Sequence, residues 1–344
     1  MPPGSPPLQL NILDQCPVPE GSSAGDALRN SIELARRADQ LGYGRYWLAE
    51  HHGTPGLACN SPEVMIGPVA AATSRIRVGS GGVMLPHYSP LKVAENFSML
   101  SALFPGRIDL GVGRAPGTSS RVAFALQRDR RQPLPDDFRQ QMDELLGYFC
   151  HEASHGINHG PLQQLAELRF QSPEVSLLGS SPQSAVWAAE LGLPYVFADF
   201  INPAGTATAA YYREHFRPAS WRGAPAEPKV SVAVWAVCAE TDEEALRISA
   251  SARMMMLLLF RGRLIPVPAV EKALAYLTQE GVPMDSLPAG RRIITGTPGH
   301  VRQSIESVAA EYGADEVFVV NIVHDPATRL RCYELIAEAF RLRD

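Results

Sequence analysis

Tyr46-Trp47-Leu48-Ala49-Glu50-His51-His52, followed by Gly53-Thr54-Pro55-Gly56, sets a short apolar run directly against a carboxylate, two imidazoles and a turn. An apolar run without alternation marks a parallel strand buried on both faces. Working outward, a helical stretch at 25–41 precedes this strand and another at 62–73 follows it. The unit then repeats along the chain. Strands are predicted at 8–13, 46–49, 76–80, 108–111, 175–178, 195–198, 230–237 and 317–320, with further helices at 90–104, 137–149, 182–191, 203–216, 242–253, 300–312 and 327–341. Several of these helices open on proline, whose missing N–H costs nothing in the first turn. Eight strands alternating with helices, in 344 residues against the roughly 250 of a plain barrel, predict a (β/α)8 TIM barrel forming a single domain. A doubly wound open sheet is the alternative arrangement. Residues 118–171, rich in Arg, Gln, His and Pro, and residues 261–294, with four prolines, read as insertions after strands four and seven. In a barrel both are candidate lids, because the loops after the strands build the active face.

Composition excludes several partner classes. A formal net charge of -5 gives no basic face for nucleic acid or anionic membrane. A small molecule is the expected partner. The five cysteines are widely spaced without a CxxC pair, so neither a disulfide framework nor a cysteine-rich metal site is expected, and a cytoplasmic setting fits. The N-terminus lacks the basic and apolar regions of a signal peptide, and no apolar run reaches the roughly 20 residues of a membrane span.

The candidate chemistry collects at the strand ends. Glu50-His51-His52 admits a metal site, a structural pair or a proton-transfer residue. Neighbouring side chains at a strand end point opposite ways, and HxH and HExxH spacings are absent, so the pair is ill suited to one ion. An imidazole titrates near neutrality, which suits acid/base work. Strand three ends in Val78-Gly79-Ser80-Gly81-Gly82-Val83-Met84-Leu85-Pro86, where glycines either let a flat ligand approach the backbone or form a bulge. After strand four, Gly111-Val112-Gly113-Arg114 lacks a complete GxGxxG, and Arg114 offers a planar fork to a phosphate or a carboxylate. Gly179-Ser180-Ser181-Pro182-Gln183-Ser184 leads into a Pro-started helix, where free N–H groups and hydroxyls can hold an anion or simply cap the helix.

The ordered set of 41–52, 78–86 and 104–114 resembles the bacterial luciferase-like flavin monooxygenases. The resemblance continues through Ser180-Ser181, residues 187–194, Gly296-Thr297-Pro298 and residues 312–316, and covers most of the chain outside the two insertions. It implies a barrel that binds reduced FMN at the C-terminal mouth, uses dioxygen and oxygenates an organic substrate, with reduced flavin supplied by a separate reductase. His51 matches the family's active-site histidine. Gly81 and Gly82 match its non-proline cis peptide beneath the flavin ring; Arg114, Gly179, Ser180, Ser181 and Ser184 match its phosphate-binding stretch. No metal is implied. Ser180 and Gly113 stand where the luciferase subunit has glutamate and cysteine, so the resemblance is to a non-luminescent member. Related chains use a deazaflavin for hydride transfer or serve as non-catalytic flavin-binding subunits, and a metal hydrolase on the same barrel is a third alternative. The family also implies a homodimer through the helices at 62–73 and 90–104, whose Ala70, Ala71, Ala72, Val93, Phe97, Leu100 and Leu103 suit either a dimer face or barrel packing.

Overall fold

A computed structural model describes residues 8–114, 118–127, 129–131, 136–149, 172–219, 224–284 and 292–343. Parts of both expected insertions, including residues 150–171 and 285–291, lie outside the described residues, as does the N-terminal stretch 1–7. The strands are β1 (Gln9–Asp14), β2 (Arg45–Leu48), β3 (Arg77–Met84), β4 (Ile108–Gly113), β5 (Glu174–Gly179), β6 (Tyr195–Ala198), β7 (Val230–Cys238), β8 (Ile294–Gly296) and β9 (Glu316–Val320). Their hydrogen-bonded order is β6-β5-β4-β3-β2-β1-β9-β7-β8, and β6 also pairs with β7. That last pairing closes eight parallel strands into the expected barrel.

Each of the eight anticipated strands is present, because most of their positions are apolar on both faces; β2 and β4 are buried at every position. The ninth, β8, was not anticipated. It is three residues long and pairs only with the C-terminal end of β7, Ala236 to Cys238, while β9 takes the preceding part of that edge. Three residues are too few to show a period.

The helices are α1 (Ala24–Leu41), α2 (Pro62–Ala71), α3 (Pro90–Leu103), α4 (Ser120–Leu126), α5 (Phe138–Phe149), α6 (Pro182–Leu191), α7 (Thr206–His215), α8 (Asp242–Phe260), α9 (Val270–Gln279), α10 (Pro298–Tyr312) and α11 (Pro326–Phe340). Local chemistry sets their ends. Ser23 and Asp26 form a reciprocal capping box at the start of α1, and Gly42 closes it in the left-handed region at φ 91°. Helix α8 runs seven residues past the expected end because Met254–Phe260 is continuously apolar, which hides the helical period. Helices α4 and α9 were also missed; both lie inside the segments read as insertions. No helix among the described residues is long and apolar enough to cross a membrane.

The lower end of the barrel is closed by charge. Asp109 of β4 is fully buried and accepts from Arg45 Nη1 at 2.8 Å, Arg77 Nε at 2.8 Å and the Trp47 indole at 2.9 Å. Arg45 also meets Glu174 at 3.0 Å and Glu316 at 3.0 Å, so one guanidinium ties β2 to β4, β5 and β9. Burial alone would lower the Arg45 pKa, but Asp109, Glu316 and Glu174 outweigh it and the net shift is upward. A buried network of this kind is costly to break from one side, because the remaining charges lose their partner in a place water does not reach. Asp109→Asn is therefore expected to lower unfolding free energy by about 3–5 kcal/mol. Urea unfolding checks this; a loss below about 1 kcal/mol would show that Asp109 is not the hub.

Candidate active site

At the upper, C-terminal end of the strands lies a cavity of about 930 Å³. It is bounded by residues from β1 to β6, β7 and β9, with α4, α5 and α6 contributing from the side. All of the sequence-predicted site residues line it: His51, Gly81, Gly82, Arg114, Gly179, Ser180, Ser181 and Ser184. Their hydrogen bonds separate those left unbraced from those that hold the wall.

His51 follows β2 and is fixed by its backbone. Its N–H donates to the Cys59 carbonyl at 3.0 Å, and its own carbonyl accepts from Asn60 Nδ2 at 2.7 Å. The ring has no such anchor: Nδ1 is buried and has no hydrogen-bond partner among the described residues. His51 thus lines the cavity while its Nδ1 is sealed from it. Burial is the main cause, and His52 a second, that hold the His51 pKa down to about 4, so the ring is neutral at pH 7.

Glu50 and His52 do different work. The Glu50 carboxylate is 1% exposed and accepts from His52 Nε2 at 2.7 Å, the Tyr88 hydroxyl at 2.9 Å and the Met84 amide at 3.0 Å. With these three donors in place, it braces the end of β2 against the end of β3. His52 is turned toward Glu50, and its carbonyl accepts from Thr118 Oγ1 at 2.7 Å, which ties the loop to the segment entering α4. Groups of three or more His, Cys, Asp or Glu side chains arranged to hold a metal do not occur among the described residues.

The peptide between Gly81 and Gly82 is cis, at a shift of register between β3 and β4. A β-carbon at Gly81 would stand 2.4 Å from Leu13 Cδ1, and one at Gly82 would stand 2.7 Å from the Gly111 carbonyl oxygen. Gly82 is thus demanded by the neighbouring backbone, while a side chain at Gly81 would have to displace Leu13. The ligand-facing consequence is indirect, since the close fit leaves bare backbone on the cavity wall.

The third group lies where β5 passes into α6. Ser181 occupies the N-cap position with Pro182 next, yet its hydroxyl makes no capping bond. That leaves an exposed hydroxyl at the positive end of a helix, facing the cavity. Ser184 is committed otherwise: its hydroxyl donates to the Ser181 carbonyl at 2.6 Å and lies 2.9 Å from the Tyr195 hydroxyl. Gly179 is needed beneath it, because a β-carbon there would fall 2.1 Å from Ser184 Oγ. Asn202 Nδ2 holds the Ser180 carbonyl at 3.0 Å. Arg114 packs 5.3 Å over the Trp187 ring and pairs with Asp136 at 2.9 Å. Both members of that pair are half exposed or more, so it contributes little and an arriving phosphate can compete for the guanidinium.

Several lining residues were not read from the sequence as site residues, among them His87, Trp187 and Phe124. His87 sits in the single 3-10 turn Leu85–His87 beyond β3, edge-on to His52 with ring centroids 5.9 Å apart. A histidine in a short turn carries no periodic signal. Trp187 lies one turn inside α6, and only the packing of Arg114 on its ring reveals its place.

The depressed His51 pKa has a consequence for stability. Below the unfolded value of about 6.5 the unfolded chain takes a proton that the folded one refuses, so stability falls as pH drops from about 6.5 to about 4 and the contribution is constant beyond either limit. The difference amounts to at most about 3 kcal/mol. His51→Phe removes it, and the unfolding free energy of the variant relative to the native chain should improve by up to that amount between pH 7 and pH 4. A difference that does not change with pH would contradict the burial of a neutral ring.

The chain matches the family model for luciferase-like monooxygenases over residues 9–316. It is 42% identical to the uncharacterized protein YwcH of Bacillus subtilis, covering 97% of this chain and 99% of that one. The N-acetyl-S-alkylcysteine monooxygenase of the same organism is 36% identical, over 96% of this chain and 98% of its own length. Among solved structures, apo-MsnO8 superposes with a TM-score of 0.86 at 40% identity, covering 97% of this chain and 98% of that one. With a barrel of this topology and a family match over nearly its whole length, the chain belongs to the luciferase-like monooxygenase family.

Proposed function

We propose that this protein is a flavin-dependent monooxygenase that uses reduced FMN and dioxygen to oxygenate a small organic substrate, the reduced flavin being supplied by a separate reductase. The observation that carries this reading is the convergence on one cavity of a neutral His51, the bare Gly81–Gly82 backbone, and the Arg114 and Ser180–Ser181 cluster. These residues fit the group. Arg114 and the uncapped Ser181 hydroxyl would hold the phosphate, and the Gly81–Gly82 wall would receive the flat ring system. When bound, reduced FMN supplies the two electrons that oxygen chemistry requires.

The protein's own part is then positioning and proton handling. A neutral imidazole has one N–H and one lone pair, so with Nδ1 sealed from solvent His51 would donate a hydrogen bond or accept a proton at Nε2. Apolar side chains at the floor, including Leu13, Trp47 and Phe318, limit water around the reacting groups. Ser184, Asn202 and Glu50 keep the walls in register through the bonds described above.

We further infer a homodimer acting in the cytoplasm. Ala70, Val93, Phe97 and Leu100 of α2 and α3 are buried in the barrel's own packing. Val64, Met99 and Leu103 on the same two helices are 67%, 56% and 69% exposed, which leaves an apolar surface available for a second copy.

Oxygen uptake with enzymatically reduced FMN and a panel of thioethers tests the activity. At least one compound should accelerate oxygen consumption and appear as an oxygenated product, and uptake with no oxygenated product from any of them would count against it. His51→Asn should lower kcat by about 10²-fold or more while leaving affinity for reduced FMN within about threefold; unchanged kcat would remove His51 from the chemistry. Light scattering at micromolar concentration should give twice the chain mass, and a monomer mass would overturn the dimer.

A further inference from the structure

Helix α4 buries none of its residues, yet it lies across the cavity in a definite orientation. Ser120, Ala123, Phe124 and Gln127 all line the cavity, at positions i, i+3, i+4 and i+7, which is one continuous helical face. The helix is held from another side. Val122 packs against the backbone of Gly53, where a β-carbon would stand 2.6 Å from it, and Thr118 just upstream is bonded to the His52 carbonyl. The cavity-facing stripe is therefore set by contacts to the loop that carries His51. At its centre Phe124 is 55% exposed, and beyond β6 Ile201, another lining residue, is 42% exposed.

Large apolar side chains left half exposed on the wall of a concave site indicate that something apolar covers them. Of the charged lining residues, Glu50 accepts its three donors, and Arg114, weakly paired with Asp136 beside α6, is the group left for the cofactor's phosphate. The floor below, formed by Leu13, Trp47, Leu178, Val196, Ala233 and Phe318, is apolar throughout. We propose that the inner face of α4, with Phe124 at its centre and Phe200 and Ile201 joining it, is the substrate-selecting wall, and that it takes the apolar body of an uncharged organic substrate. The assignment rests on the flavin reading above, which gives the Arg114 and Ser181 side of the cavity to the cofactor.

Calorimetric titration with n-propyl, n-butyl and n-pentyl phenyl sulfide, and with 4-(butylthio)benzoate as the charged counterpart, tests the wall on the full chain. Each added methylene should tighten binding about fourfold, and the benzoate should bind at least tenfold more weakly than the neutral butyl compound. Phe124→Ala should weaken the butyl compound by roughly ten- to thirtyfold, with Phe124→Leu recovering most of the loss. Affinities independent of chain length, a benzoate that binds as well as the neutral compound, or Phe124→Ala binding like the native chain would each overturn the proposal. Titration of the same proteins with reduced FMN reads the flavin reading separately, because Phe124→Ala leaves the phosphate side of the cavity intact.

Discussion

Asp109 holds the barrel together at the point where most strands depend on it. Its carboxylate gathers Arg45 and Arg77 from β2 and β3, and Arg45 extends the network to β5 and β9. The same carboxylate accepts the indole of Trp47, whose other surface lines the cavity above and packs on Phe318 with ring centroids 4.3 Å apart. One residue thus couples the charged lower end to the apolar floor of the site. A second buried tie, Asp14 to Arg329 at 2.6 Å, fastens β1 to α11; burial opposes the Asp14 charge, but Arg329 and the hydrogen bonds from Tyr46 and the Cys16 amide prevail and hold its pKa below the usual value. The barrel can therefore present a large open cavity at one end, because its closure is secured at the other and around its side.

Above that floor, the lining divides into residues left without a bracing bond and residues that shape the wall. Ser181 keeps an uncapped hydroxyl at the cavity, and His51 lines it with a neutral ring. Glu50, Ser184 and Asn202 have spent theirs on bracing. The glycines of β3 show how strict this shaping is: Gly79, Gly81 and Gly82 each lie where a β-carbon would come within 2.7 Å of a neighbouring strand or side chain. The flat, unencumbered wall is a by-product of strands packed too closely for any larger residue. His51 shows the same economy, since the burial that keeps its ring neutral is the burial that orients it.

The barrel was legible because its strands are apolar on both faces and its helices begin at prolines and serines. The residues singled out at the strand ends fall together on one cavity, since loops after parallel strands converge on one face whatever their sequence. Legibility failed where the signal is tertiary. Helix α4 has seven residues and no buried face, so no apolar stripe announces it, and its role follows only from what it covers. The short β8 has no period to read, and Met254–Phe260 is apolar on all sides, which conceals the continuation of α8. Arg45 gave no hint of its place in the barrel, because a charged residue at the head of a strand reads as loop until its partners Asp109, Glu174 and Glu316, scattered across the sequence, are seen together.

Under the proposed function, this cavity holds a flavin with its phosphate at Arg114 and the uncapped start of α6. Anaerobic titration of the protein with reduced FMN and, separately, with reduced riboflavin, which lacks the phosphate, tests it most directly. The account predicts that FMN binds at least tenfold more tightly and that Arg114→Ala abolishes most of the difference. Equal affinity for the two, or a preference for a deazaflavin over reduced FMN, would contradict it.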